Sequence, residues 1–294
     1  MIFLIALFSP FFYAASVVIE SFLSLAVFKR PIVMLFFVSL TNALFTPLVL
    51  VFGTPTLPSV EALAIYALIA CIDIAYLYPY YVALKKTDTS IISSLFALGN
   101  IFVPMLSFIL LADVLQLHQY IGFLIIILAS VILNKKSHVH FCINKAFYLM
   151  ILSTFLLACR ICLAKYVLNL DHNVSNVLIY PNLLSGLIPF LFLLSSQNKK
   201  SIKKKVRVYH RQFKFFFMIE LLTFGAVVTS TIALDKLSPT ISTAIAALEP
   251  LFVLSIIMFL KSFFHVQLKD HGITFKKIIC FICIIIGVIM TCSD

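Results

Sequence analysis

The sequence predicts an all-α integral membrane protein of ten transmembrane helices, arranged as two inverted five-helix repeats. Three observations carry this. Apolar residues make up 63% of the 294 residues and charged ones only 11%, with a mean hydropathy of +1.14; a soluble domain carries about 25% charged residues. The apolar residues gather into ten stretches, each near the roughly 20 residues a helix needs to cross a hydrocarbon core about 30 Å thick. Part of the chain also recurs. Ala83-Leu84-Lys85-Lys86, Ser90-Ile91, Leu95 and Ala97-Leu98-Gly99-Asn100-Ile101-Phe102-Val103 return as Ala233-Leu234-Asp235-Lys236, Thr240-Ile241, Ile245 and Ala247-Leu248-Glu249-Pro250-Leu251-Phe252-Val253, at a constant offset of 150. A repeated unit inside a membrane chain points to a carrier built from two related halves.

The segments run 2–28, 32–52, 61–84, 89–111, 118–134, 147–169, 175–195, 213–234, 239–260 and 274–291. The first has no basic leader and contains Glu20, so it reads as a retained helix, not a removed signal peptide. The fourth and ninth hold the long repeat. The sixth echoes the first: Ser153, Phe155 and Ala158 match Ser9, Phe11 and Ala14 at offset 144. The fifth and tenth share Val131-Ile132 and Val288-Ile289 at offset 157. The repeats therefore divide as 1–137 and 138–294. Five helices is an odd number, so the second half enters the membrane from the opposite side, which makes the pseudo-two-fold inverted. Helices are required because lipid offers no partner for open strand edges, and the alternation of a membrane barrel is absent.

A net charge of +11 raises the question of nucleic acid, and the charge distribution answers it. Nineteen of the 22 Lys and Arg fall in loops that follow odd-numbered segments, eight of them between Lys199 and Lys214. This is the positive-inside pattern, so no nucleic-acid partner is expected. It places those loops in the cytoplasm and both termini outside. Cys159/Cys162 and Cys280/Cys283 fit CxxC but lie in lipid-spanning stretches, where small packing residues are the expected role. His138 and His140 read as a surface loop. No cofactor or metal is expected.

The Ala-Leu, short Ser/Thr turn and Leu248-Glu249-Pro250-Leu251 helix resemble the drug/metabolite transporter superfamily in its EamA-like branch. Ile121-Gly122-Phe123 and Ile286-Gly287-Val288 resemble that family's fifth and tenth helices. The resemblance covers nearly the whole chain and implies a carrier of small metabolites with both termini in the cytoplasm, opposite to the charge count. Where the family ends its fourth and ninth helices with Gly-Glu, this chain reads Ala112-Asp113 and Leu260-Lys261.

Ionisable groups cost roughly 2.5–3.5 kcal/mol at the centre of a lipid-spanning helix, so those present should face the interior. Glu20 shares a helical stripe with Tyr13, Ser16 and Ser24, and reads either as a substrate or proton site or as an acid satisfied by a neighbouring helix. Asp73 has Tyr76 and Tyr80 at i+3 and i+7, a face able to hold a cation or an aromatic solute. Tyr81 is assigned to the interfacial aromatic belt, and Pro79 is expected to free backbone carbonyls. Arg160 binds an anionic group or pairs with Glu20 or Glu220; Lys165 snorkels to the interface. Glu220 divides between a near-surface place and a site role. Glu249-Pro250 sits opposite Gly99-Asn100 of the first copy, and Glu249 and Asn100 are expected to meet at the midplane. Asn42 and Asn182 are expected to hydrogen-bond between helices.

The substrate-binding set is thus Glu20, Asp73, Tyr76, Tyr80, Asn100, Arg160 and Glu249. It serves a carrier moving a small-molecule solute, such as an amino acid or organic cation, across a bacterial cytoplasmic (inner) membrane, with proton coupling through the acids. An intramembrane enzyme would need a zinc-binding His-Glu-x-x-His or a nucleophile elbow, and the sequence has neither; a phosphate-binding loop is absent too. A non-transporting membrane protein is the other class, and the basic cluster at 199–214 could bind membrane lipid in either case. Monomer and homodimer are both open.

Overall fold

The computed structural model describes residues 2–26, 30–85, 92, 95–96, 101–134, 145–264 and 275–292. Asn100 lies outside them, as do His138, His140 and much of the first repeat copy. Among the described residues all regular structure is helical. The elements are α1 (Ile2–Ala26), α2 (Pro31–Phe45), α3 (Val60–Leu84), α4 (Phe102–Leu111), α5 (Leu117–Asn134), α6 (Lys145–Asp171), α7 (Val174–Leu187), α8 (Ser196–Lys236), α9 (Pro239–Ala246), α10 (Glu249–Phe264) and α11 (Phe275–Cys292). Two of them tighten into 3₁₀ turns: α2 into Thr46–Val51 and α7 into Ile188–Leu194.

Among the described residues, seven stretches are long and apolar enough to cross a membrane: Ile2–Leu23, Pro31–Val51, Val60–Leu84, Phe147–Asp171, Val174–Leu194, Ser196–Lys236 and Pro239–Ser262. Three more apolar helices are shorter, Phe102–Leu111, Leu117–Ser130 and Ile278–Cys292. Leu4, Phe8, Ile109, Leu128 and Ile289 all stand exposed, an outer surface suited to hydrocarbon and not to water. The chain is an integral membrane protein.

The helix ends follow local chemistry. Ser59 caps α3 by accepting from the Ala62 N–H, with Glu61 in the first turn. Asn173 caps α7 through the N–H groups of Ser175 and Asn176. Ser238 caps α9, and Pro239 follows at the position where a missing N–H costs nothing. Ala112 ends α4 in the left-handed region at φ 53°, its N–H bonding Phe108 O, while Ser107 Oγ donates to Asp113 at 2.9 Å. Glycine is the usual residue for that conformation. Ala112→Gly should therefore stabilise the protein by roughly 0.5–1 kcal/mol, read as a higher unfolding temperature in detergent.

Two expectations are corrected here. The basic stretch at 199–214 is not a loop: α8 begins at Ser196 and runs 41 residues. Lys and Arg are good helix formers, and Ile202, Tyr209 and Phe216, at seven-residue spacing, bury one side of this extension. Tyr209 stacks on Phe37 of α2 with centroids 4.4 Å apart and shares a 2.9 Å hydrogen bond with Thr41. The ninth segment is not continuous either. It breaks at Ala247-Leu248, and Glu249 opens a new helix with Pro250 in its first turn; proline there cannot accept a place in an uninterrupted hydrogen-bond ladder.

The chief pairings are α1 with α8, α3 with α6, α5 with α11, and α2 against α7 and α8. Where α5 crosses α11, glycines let the backbones touch. A Cβ added at Gly122 would come 2.7 Å from Gly287 O, and one added at Gly287 would come 2.6 Å from Gly122 O. Close backbone approach through small residues is how helices gain contact in lipid. Gly287→Leu should force the two helices apart and cost at least about 1–3 kcal/mol, seen as a fall in unfolding temperature that Ser130→Ala, elsewhere on α5, does not match.

Candidate functional site: a charged cavity inside the bundle

The bundle encloses a cavity of about 210 Å³. Its longest walls come from α1 and α8. Ala6, Ser9, Pro10, Tyr13, Ser16, Val17 and Glu20 line it from α1, and Glu220, Thr223, Phe224, Val227, Ser230, Thr231 and Leu234 from α8. Both sets follow the i, i+3, i+4, i+7 spacing of one helix face. The two helices are antiparallel: Ser16 bonds Thr223 at 2.9 Å, Phe12 abuts Gly225, and the Phe22 ring meets Phe215 at 6.1 Å. That register sets Glu20 and Glu220 at the same level of the cavity.

The remaining walls add Asp73, Tyr76 and Tyr80 from α3, Arg160 from α6, Asn42 and Asn182 from α2 and α7, Ser242 from α9 and Glu249 from α10. Six of the seven residues expected from sequence to bind a solute therefore surround one cavity, and the seventh, Asn100, lies outside the described residues.

Their partners differ from those expected. Arg160 pairs with neither Glu20 nor Glu220: its Nε donates to Asp73 Oδ1 at 2.7 Å. The two side chains keep 16% and 15% of their surface exposed, so the pair forms part of the cavity wall and is not sealed in the core. Glu20 instead accepts from two phenols, Tyr80 Oη at 2.6 Å and Tyr81 Oη at 2.9 Å. Tyr81 is thus not an interfacial residue; it is fully buried, because α3 turns it inward beside Tyr80. Tyr78, on the opposite face, is exposed. Glu220 is buried within α8 and not near its start, since that helix begins 24 residues earlier. Lys165 does not snorkel: its Nζ donates to Leu234 O and Asp235 O at 2.8 and 3.1 Å, capping the last carbonyls of α8. Ser153 Oγ donates to Tyr76 O at 2.9 Å, one turn before Pro79, which breaks the local ladder. Asn42 Nδ2 reaches Asn182 Oδ1 at 3.5 Å, so this amide pair bridges helices as expected and also lines the cavity.

Two acids have no such satisfaction. Glu220 Oε1 and Glu249 Oε1 are buried with no hydrogen-bond partner. Unpaired buried carboxyl oxygens are costly, and Glu249 gains some offset from the positive end of α10, whose first residue it is.

A second polar cluster ties segment 52–59 and α3 to α6 and α7. Asp171 accepts from Tyr66 Oη at 2.9 Å and from Asn176 Nδ2 at 2.5 Å. Asn176 also donates to Thr56 Oγ1 and accepts from the Thr56 N–H, each at 2.9 Å. Tyr180 Oη donates to Thr56 O, and its ring stacks on Tyr66 at 5.4 Å. Asn176→Ala should unlatch Thr56 and cost about 1–3 kcal/mol locally, measured as faster amide exchange across 54–59.

Sequence reasoning overlooked Ser39, Thr223, Ser230 and Ser242. The signal existed for two of them: Thr223 and Ser230 stand at i+3 and i+10 from Glu220, on one helical stripe.

No family model matches the chain, and no curated protein matches it. Twenty-eight solved chains match. One, a crystal structure of a protein 10% identical in sequence, superposes with a TM-score of 0.67 over 98% of this chain and 95% of its own length. Likeness at that identity is likeness of fold.

Proposed function

We propose that the chain is a secondary carrier that moves a small metabolite, such as an amino acid or organic cation, across the bacterial cytoplasmic membrane by alternating access, with protons exchanged at the cavity acids. The observation that carries this reading is the polar cavity inside the bundle. Its charged and polar groups come from helices of both halves of the chain and are held where lipid would reject them. Such sites belong at the interface between repeats.

Ten membrane segments in two inverted five-helix repeats of the drug/metabolite transporter, EamA-like kind remain the architecture we favour. The pairing of helices supports it. Exchanging the halves turns the α1–α8 contact into α6–α3, α2–α8 into α7–α3, and α1–α10 into α6–α4, and each exchanged contact occurs. The α2–α7 and α5–α11 contacts map onto themselves. Both α2 and α7 tighten into a 3₁₀ turn, at Thr46-Pro47 and Ile188-Pro189. The broken helix at Ala247-Leu248 is a further support, since discontinuous helices are where carriers of this layout hold solutes.

The latch around Asp171 and Asn176 joins the first half to the second at one face of the bundle. In an alternating cycle it is the contact that opens when access passes to that face. The test is uptake by purified protein in proteoliposomes, using a panel of radiolabelled amino acids and amines, with and without a pH gradient. Accumulation of at least one solute that responds to the gradient is expected. Failure of every solute under both conditions would remove the carrier reading.

A further inference from the structure

The cavity carries four carboxyl groups, Glu20, Asp73, Glu220 and Glu249, and a single guanidinium, Arg160. Among the described residues, side-chain hydrogen bonds meet two of the acids. Asp73 holds Arg160, and Glu20 is held by two phenols. Glu220 and Glu249 each present a buried oxygen with no donor, and Glu220 keeps 2% of its surface exposed. Glu220 of α8 stands at the level of Glu20 of α1, by the antiparallel register, and Glu249 opens α10 and lines the same cavity. Both acids line one cavity, and among the described residues no donor meets either Oε1.

We propose that the missing partner is the ligand's own cation: the cavity takes a small protonated amine whose N–H groups donate to Glu220 and Glu249. This deepens the carrier reading and rests on it. Three features select the class. An ammonium supplies both the charge and the donors that the two acids lack, and charge-assisted hydrogen bonds are the strong ones. Tyr13, Tyr76 and Tyr80 line the same space, and phenol faces attract cations. A carboxylate ligand would have to share the guanidinium, whose charge Asp73 already offsets through Nε at 2.7 Å. Size narrows the class further. A volume of about 210 Å³ lies below the 300–1,000 Å³ typical of drug-sized ligands and equals about seven waters of liquid. An amine with one ring or a short chain fits.

Binding to purified protein in detergent, by calorimetry, tests this independently of transport. The probes are 2-phenylethylamine, 3-phenylpropionate and tetramethylammonium. The amine should bind. The carboxylate, with the same ring, should bind at least tenfold more weakly, and so should the quaternary cation, which has no N–H to donate. Glu220→Gln and Glu249→Gln should each weaken amine binding tenfold or more, and should not lower the unfolding temperature, because each removes an unpaired buried carboxylate. Carboxylate binding as tight as the amine, amine binding unchanged in both variants, or no amine binding at all would each overturn the proposal. Amine binding with the stated losses but no movement into proteoliposomes would leave the amine site standing and remove the carrier reading instead.

Discussion

Replacing Arg160 by Met should be the most damaging single change in the membrane-embedded part of this protein. Asp73 accepts from Arg160 Nε at 2.7 Å, and α3 and α6 pack along each other around that pair. Removing the guanidinium leaves a carboxylate in a low-dielectric wall with no counter-charge. Breaking one side of a fully buried ion pair costs about 3–5 kcal/mol; this pair, partly open to the cavity, should cost the lower part of that range, still a large share of the stability of a typical domain. The loss should appear as reduced yield and a lowered unfolding temperature in detergent. Asp73→Asn combined with Arg160→Met should recover most of it, because a buried pair is often replaceable by neutral groups. Uptake should stay low in the double variant, since the cavity has then lost the Arg160 guanidinium and one of its acids. An Arg160→Met protein as stable as the parent would show that Asp73 does not depend on the guanidinium.

Removing both phenols from Glu20 is the second large effect. Tyr80→Phe or Tyr81→Phe alone leaves the carboxyl group one donor, at 2.9 or 2.6 Å respectively. Each hydrogen bond to a charged group is worth about 1.5–3 kcal/mol. The double variant strips Glu20 of both donors while it stays buried, so its cost should exceed the sum of the single changes. A double-mutant cycle on unfolding free energy reads this directly, because residues sharing one partner couple. Adding Glu20→Gln to the double variant should recover stability, since the burden is the unsatisfied acid and not the lost ring contacts. Strict additivity of the two single changes would mean that Glu20 finds another donor when the phenols go.

The membrane class, the all-helical build and most of the cavity's charged positions were legible in the chain. Segment boundaries fell close to the helices wherever a loop was polar or proline marked the entrance, as at Pro31 of α2 and Ser59-Val60 of α3. They failed at 199–214, where composition reads as a loop. A helix can carry a fully charged face while Ile202, Tyr209 and Phe216 bury the other, and a tally of charges does not separate the two. The break at Ala247-Leu248 was also unreadable as such: Pro250 signalled a weakened ladder, but not that α9 and α10 would be separate helices. Of the site, Glu20, Asp73, Tyr76, Tyr80, Arg160 and Glu249 surround one cavity. Tyr81 was misjudged, and Glu220 was left divided between surface and site, for the same reason. Each lies next to a surface feature in the chain, a basic run for one and a tyrosine cluster for the other, yet each faces inward by its place on the helix.

The chain alone determined that this protein lives in lipid and which side chains lipid would not accept, because hydrophobic length and the cost of an intramembrane charge are properties of a segment by itself. Only the tertiary structure decided who satisfies whom. Asp73 takes Arg160 from 87 residues away, and Glu20 takes Tyr80 and Tyr81 from 60 and 61, while Glu220 and Glu249 are left unanswered. Electrostatic and hydrogen-bond partners are set by distances of a few ångströms between helices, and no local pattern encodes which helix face will meet which.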